Sequence, residues 1–447
     1  MLTRKITEKI TGWTHSLPRT PLLICGARGT GKSTILKEFS KKFHQVIHLD
    51  LEISSERKIF ENKSEPAEIL DGLFFLKEKH PGVKRTLIIL DEVASSEASL
   101  KWFLGSGTLA SDMFVLASSS GNIDLPKPGE ISGAAVNKVH LYPLTFSEFL
   151  LSLEDATVLD EYNEVPVPVS AYEKLLRYFH IYTLIGGMPG VVQQYADHRG
   201  LAGLKVIYEQ TMERIMEDIE RIAPGRKSRE LLSFTLQNAF PYAATRIRFN
   251  AFGNSSYHSR EMGEAFRWLE NRMLLSLVYP SISVTSPLSA DRAKLPRLQM
   301  LDTGLVNYFS GIQKTLYLAK DMNSIFHGQV ARQVAGQELQ SAGPLHPLHF
   351  WVRNKAQSTA EVDFLIPYED MVIPVEVKSG EPGRLRSLHQ FMDAAPHPYA
   401  VRLHAGPLHI RQTETIRGKR FFLLSLPYFL AERINEHLRG FIRFVGS

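Results

Sequence analysis

Gly26-Ala27-Arg28-Gly29-Thr30-Gly31-Lys32-Ser33, with Thr34 next, fits the pattern GxxxxGK[ST] at every fixed position. Glycines at those places let the backbone fold tightly, so that successive N–H groups aim at phosphate oxygens. Lys32 then supplies a cation to the terminal phosphates, and the Ser33 hydroxyl supplies a ligand for magnesium. A second constellation, Leu87-Ile88-Ile89-Leu90-Asp91-Glu92, ends an apolar run in two carboxylates. Asp91 is suited to hold the magnesium shell and Glu92 to polarise an attacking water. In this order the two motifs predict a site for ATP and Mg2+, with Ser33 and Asp91 on the metal and Lys32, Asp91 and Glu92 as the catalytic groups.

Two further sets of residues belong with such a site. A later apolar run ends in Ala117-Ser118-Ser119-Ser120-Gly121-Asn122, where Ser119 or Asn122 could sense a γ-phosphate; a polar turn with no role is the alternative. Arg214, Arg221 and Arg226 are candidates for an arginine supplied to a neighbouring subunit; a surface arginine is the commoner reading of each.

A separate group lies near the C-terminus. Glu376 and Lys378 are two apart on an expected strand and so share a face, and Asp363 ends the strand before it. With Glu338 from the preceding helix they would offer carboxylates for magnesium, Asp363 and Glu376 foremost, and a lysine for phosphodiester hydrolysis. A solvated strand edge, or a fold that only binds DNA or partners, competes with that expectation. His346, His349, His389, His397, His404 and His409 show no metal-ligand spacing, and Cys25 reads as a small buried hydrophobe.

The elements needed to position these groups follow from pattern. Short apolar runs at 21–25, 46–49, 87–90 and 113–116 alternate with helical stretches, which predicts a parallel sheet covered by helices. Glu161 to Pro168 reads as a connection, and helical periodicity follows to about Asn238, broken at Gly186-Gly187-Met188-Pro189-Gly190. Helices over 229–240 and 258–273 and an extended stretch over 278–284 precede a last α/β portion with strands at 362–366 and 372–377.

Composition sets the outer bounds. A chain of 447 residues, 44% apolar and 22% charged, is ordinary globular material of about three domains at roughly 150 residues each. No stretch resembles a membrane span or a signal peptide, and one cysteine excludes an internal disulfide, so a cytoplasmic protein is expected. Net charge is only +5, yet the stretch from Arg221 to Arg272 alone holds nine Lys/Arg against four Glu. Arg260, Arg267 and Arg272 lie on the helix expected over 258–273, whose Phe266, Leu269 and Met273 make a core face. These arginines are the candidate DNA contacts; a helix used for protein contacts is the alternative.

Several strings together resemble a known group. They are the phosphate loop, Leu90-Asp91-Glu92, Pro143-Leu144-Thr145-Phe146-Ser147-Glu148-Phe149, Gly186-Gly187-Met188-Pro189, Leu301-Asp302-Thr303-Gly304-Leu305, Gln337-Glu338-Leu339, Glu361-Val362-Asp363-Phe364 and Pro374-Val375-Glu376-Val377-Lys378. They are similar to prokaryotic AAA+-type P-loop ATPases with an uncharacterised C-terminal domain of the PD-(D/E)xK nuclease type.

The resemblance implies an α/β fold in four parts: a P-loop AAA+ core with a parallel sheet (1–160), a helical lid (161–228), a winged-helix module (229–295) and a nuclease-like domain (296–447). It also implies an ATP-hydrolysing protein acting on DNA by binding, remodelling, branched-DNA processing or metal-dependent cleavage. Such a protein is expected as a homo-oligomer, a hexameric ring being one form. The alternative is a nucleotide-dependent switch or scaffold whose nuclease-like domain only binds partners or DNA.

Overall fold

The computed structural model describes residues 2–17, 20–63, 65–109, 112–125, 135–319, 328–343, 347–355, 358–378 and 385–446. His346 lies outside them. The chain forms two compact units, described separately below: Thr3–Tyr142 with Asn271–Met273, and Pro143–Glu270 with Leu274–Ser447.

In the first unit the elements run α1 (Ile6–Trp13), β1 (Leu22–Gly26), α2 (Lys32–Ser40), β2 (Gln45–Asp50), α3 (Ser54–Asn62), α4 (Pro66–Leu76), β3 (Thr86–Asp91), α5 (Glu97–Gly105), β4 (Met113–Ser120) and β5 (Asn137–His140). The sheet order is β2-β3-β4-β1-β5, with every pair parallel. Every residue of β1 and β3 is buried, because helices cover both faces and leave no solvent side on which a polar residue could alternate. On one face Cys25, Ile88, Leu90 and Ala117 pack against Phe60, Leu73 and Phe103; on the other Leu22, Ile24, Leu87 and Leu116 pack against Ile10, Trp13 and Phe39. Strand β1 sits between β4 and β5, so the crevice beyond its carboxyl end is where an open parallel sheet takes ligands. Strand β4 runs to Ser120, beyond the apolar run that predicted it, and β5 carried no apolar run to predict it.

The second unit begins with α6 (Phe146–Ser152), α7 (Ala156–Asn163), α8 (Tyr172–Ile185), α9 (Pro189–His198), α10 (Leu204–Ile222), α11 (Gly225–Ala239) and α12 (Ser259–Asn271). Phe146 joins α6 to this unit, packing edge-on against Tyr162 and Phe179 and beside Tyr182 and Phe429.

After α12 come β6 (Leu275–Val278), β7 (Pro280–Ser281), β8 (Arg297–Met300), α13 (Thr303–Phe309), α14 (Gln313–Leu318), α15 (Gln329–Ala342), β9 (His349–Val352), β10 (Glu361–Tyr368), β11 (Met371–Val377), α16 (Arg386–Ala394), β12 (Tyr399–His404), β13 (His409–Glu414), β14 (Arg420–Pro427) and α17 (Ile434–Gly446). A seven-stranded mixed sheet runs β13-β14-β12-β11-β10-β9-β7, and β6 pairs with β8 alone. The stretch expected as one strand over 278–284 is split between these two sheets, Val278 in β6 and Pro280–Ser281 in β7.

The strings that carried the resemblance in this unit interlock. Thr145 and Glu148 form a capping box at the start of α6. Asp302 caps α13 through the Leu305 amide at 3.0 Å and also accepts from the Gly187 amide at 2.7 Å. A Cβ on Gly186 would stand 2.3 Å from Asp302 Oδ1, and one on Gly304 1.9 Å from the Ile185 carbonyl oxygen. Only glycine fits those two close approaches.

Candidate functional site

The phosphate loop follows β1 and opens α2. Gly29 and Gly31 have φ of 84° and 95°, the left-handed region that the turn needs and that a side chain disfavours. Buried Arg4 braces the loop from outside, donating to the Thr30 carbonyl at 3.1 Å and the Tyr142 carbonyl at 2.7 Å. Ser33 and Thr34 are exposed in the first turn of α2, where the unpaired amides and positive helix end favour an anion.

Lys32 is buried, and its ammonium lies folded back over the loop. Nζ donates to the Gly26 carbonyl at 3.0 Å, the Ala27 carbonyl at 3.3 Å and the Ser120 hydroxyl at 2.8 Å. The same hydroxyl donates to Glu92 Oε1 at 2.5 Å, the Ser120 amide donates to Glu92 Oε2 at 2.7 Å, and Lys32 Nζ stands 3.6 Å from Glu92 Oε1. Glu92 reaches this position through a left-handed backbone, φ 56° and ψ 52°, a strained state of the kind held at functional sites. Asp91 accepts from the Ser118 hydroxyl. Arg28 makes paired contacts to Glu52 at 3.3 Å each and reaches 3.9 Å from Glu92.

Hence Gly26, Lys32, Asp91 and Glu92 are brought together, while Ser119 and Asn122 make other contacts. The alternation of β4 turns Ser118 and Ser120 toward the two carboxylates, while Ser119 is buried at the register position of Cys25. Asn122 instead meets His140 at 3.3 Å. The hydroxyl of Ser33 and the carboxylate of Asp91 are hard oxygen donors of the kind magnesium takes.

Arg272, one of the candidate DNA contacts, also reaches this site. It lies just past α12, within the first unit, and its Nη1 donates to the Ser120 carbonyl at 2.9 Å. Of the other DNA candidates, Arg260 pairs with Glu264 along α12 at 3.1 Å and Arg267 lies two turns further on the same helix. Among the arginine-finger candidates, Arg221 pairs with Asp218 and Arg226 with Glu230, each at 2.7 Å, and Arg214 is exposed on α10.

The C-terminal cluster departs from a metal site. Glu338 is turned away: Oε2 accepts from the Phe146 amide at 3.1 Å, and Oε1 lies 2.6 Å from the Tyr182 hydroxyl. Asp363 and Glu376 do lie side by side on β10 and β11, and Lys378 Nζ reaches 3.6 Å from Glu376 Oε1. Asp363 Oδ2, however, accepts from the Val377 amide at 2.8 Å, while Oδ1 faces Arg332 at 3.7 Å and Arg297 at 4.0 Å.

Arg297 itself is held by Glu361 and by the Asp363 carbonyl at 2.6 Å. Burial raises the Asp363 carboxyl and, with Asp363 beside it, raises the Glu376 carboxyl as well. Two guanidinium groups face Asp363 Oδ1, Glu376 Oε2 is buried without a hydrogen-bond partner, and no group of three His, Cys, Asp or Glu among the described residues is placed to hold a metal.

Residues 18–150 match the family model of an AAA domain, residues 176–316 match a domain of unknown function (DUF8612), and residues 327–429 match another (DUF4143). No curated protein matches the chain. Among solved structures, the Walker-type ATPase PABY2304 of Pyrococcus abyssi is 15% identical, with a TM-score of 0.42, covering 69% of this chain and 96% of that one. PCH-2 of C. elegans is 14% identical, with a TM-score of 0.30, covering 48% of this chain and 70% of that one. The AAA match spans the phosphate loop, Asp91, Glu92 and Ser120, and the protein is a P-loop ATPase. Among the described residues no helix is long and apolar enough to cross a membrane.

Proposed function

We propose that the protein hydrolyses ATP with magnesium in its first unit in order to act on DNA through its second, as a homo-oligomer for which a hexameric ring is one form. In turnover Lys32 leaves the Gly26 and Ala27 carbonyls for the phosphates, and the loop amides hold their oxygens. Glu92 accepts the proton of a water whose oxygen bonds to the γ-phosphorus as the bridge to the β-phosphate breaks and ADP leaves. Magnesium, when bound, is held by Ser33 and Asp91 and offsets phosphate charge.

The observation that carries the catalytic part is the Ser120 hydroxyl joining Lys32 to Glu92 at 2.8 and 2.5 Å. The surplus of cations from Arg221 to Arg272 supports DNA as the partner. Cleavage is not part of the proposal, because the oxygens of Asp363 are engaged by an amide and two arginines. This favours a nuclease-like domain that binds without cutting.

The test is ATP turnover with and without single-stranded, duplex and branched DNA, together with DNA binding across a salt series. Turnover raised by DNA and binding weakened by salt are expected; turnover indifferent to all three and no salt-sensitive binding would remove DNA from the proposal.

A further inference from the structure

Nothing yet accounts for a basic cleft of about 320 Å³ in the second unit, at the turn between β9 and β10. Its charged lining is Arg246, Lys294, Arg353 and Lys355 against one acid, Glu361, with hydroxyls from Ser358 and Thr359. Two of the cations are already held in place. Arg246 lies over the Phe350 ring at 5.0 Å and 3.4 Å from Glu361, and Arg353 donates to Gln390 at 3.2 Å. Glu361 cannot neutralise the cleft, because buried Arg297 takes the same carboxylate.

From this arrangement we propose that the cleft holds the phosphodiester backbone of DNA. It sits at the start of β10, two residues from Asp363, and it supplies what backbone binding requires: several cations on one concave polar surface, braced before the ligand arrives. Holding the cations in place lowers the ordering cost of binding. Arg260 and Arg267 of α12 do not line this cleft. The inference rests on DNA being the partner and adds where its phosphates are held.

The experiment measures binding of a labelled DNA oligonucleotide by the full chain over a salt series, for wild type, Arg353→Gln/Lys355→Gln and Arg260→Gln/Arg267→Gln. Thermal unfolding and ATP turnover, which belongs to the other unit, serve as controls for folding. Two lost phosphate contacts should cut affinity at least tenfold and flatten the slope of log K against log salt by about 1.4 on a single strand or about 1.8 on duplex. The α12 variant should keep the wild-type slope.

Wild-type binding with an unchanged slope in the cleft variant overturns the cleft while leaving DNA as partner. Loss confined to the α12 variant moves the site to that helix and also overturns the cleft. No salt-sensitive binding by wild type removes DNA itself, and the cleft with it.

Discussion

The hydroxyl of Ser120 donates to Glu92 at 2.5 Å while accepting from Lys32 at 2.8 Å. One side chain thus links the loop lysine to the carboxylate proposed to activate water. Ser120→Ala removes both contacts but leaves the loop, so ATP turnover should fall about tenfold to a hundredfold, the worth of a hydrogen bond to a charged group, with nucleotide affinity changed only a few-fold. Ser119→Ala should leave turnover unchanged, and phosphate release checks both. Equal losses in the two variants would contradict the assignment.

Arg272 donates to the Ser120 carbonyl at 2.9 Å, which makes it a candidate positioning residue of the ATPase unit. Arg272→Ala should lower turnover about tenfold and leave the salt dependence of DNA binding at its wild-type slope. Turnover unaffected, with the salt slope flattened, would return Arg272 to the DNA-binding role its position in the sequence suggested.

Asp363 is enclosed by Arg297 and Arg332 and acts as their counter-charge. Asp363→Ala should therefore destabilise the protein by about 1–3 kcal/mol, measured by denaturant unfolding, because it leaves the buried Val377 amide without its acceptor and removes one of the acids facing the two arginines. It should make no difference to DNA incubated with magnesium, which wild type and variant alike leave intact. Cutting by wild type that vanishes in the variant would restore a nuclease.

Asp302 gives a pH dependence of defined sign. Burial pushes its carboxyl up to about 6, partly offset by the amides of Leu305, Gly187 and Gly304. In the unfolded chain an aspartate titrates near ~3.9. Between these values the folded state holds the extra proton, so this group favours folding most at low pH. Its contribution declines as pH rises from about 4 to about 6, by up to about 1.4 kcal/mol per pH unit. Asp302→Asn cannot titrate, so the stability gap between wild type and variant should change with that slope over this window. Melting curves that stay parallel from pH 4 to 6 would contradict it.

The nucleotide site was legible because phosphate geometry fixes residue types at short spacing: Gly26 to Ser33 and Asp91-Glu92 each act within one turn of chain. Ser120 carries no such signal, because the apolar run stops at Leu116 and the serines that end β4 have the residue types of a polar turn. Glu338 shows the other limit. Its residue type suited a metal site, but its partner Tyr182 is 156 residues away in sequence, and no local pattern predicts that contact. Likewise Asp363, Glu376 and Lys378 lie together as spacing implied, whereas Arg297 and Arg332, which face Asp363, stand at positions that no motif marks.

ATP hydrolysis at the first β–α turn is tested most directly by calorimetric ATP binding and steady-state phosphate release on the full chain, for wild type, Lys32→Ala and Glu92→Gln. The expected result is no binding for Lys32→Ala, and near wild-type binding for Glu92→Gln with turnover down by roughly a hundredfold to ten-thousandfold. Wild-type binding by Lys32→Ala, or full turnover by Glu92→Gln, would contradict it.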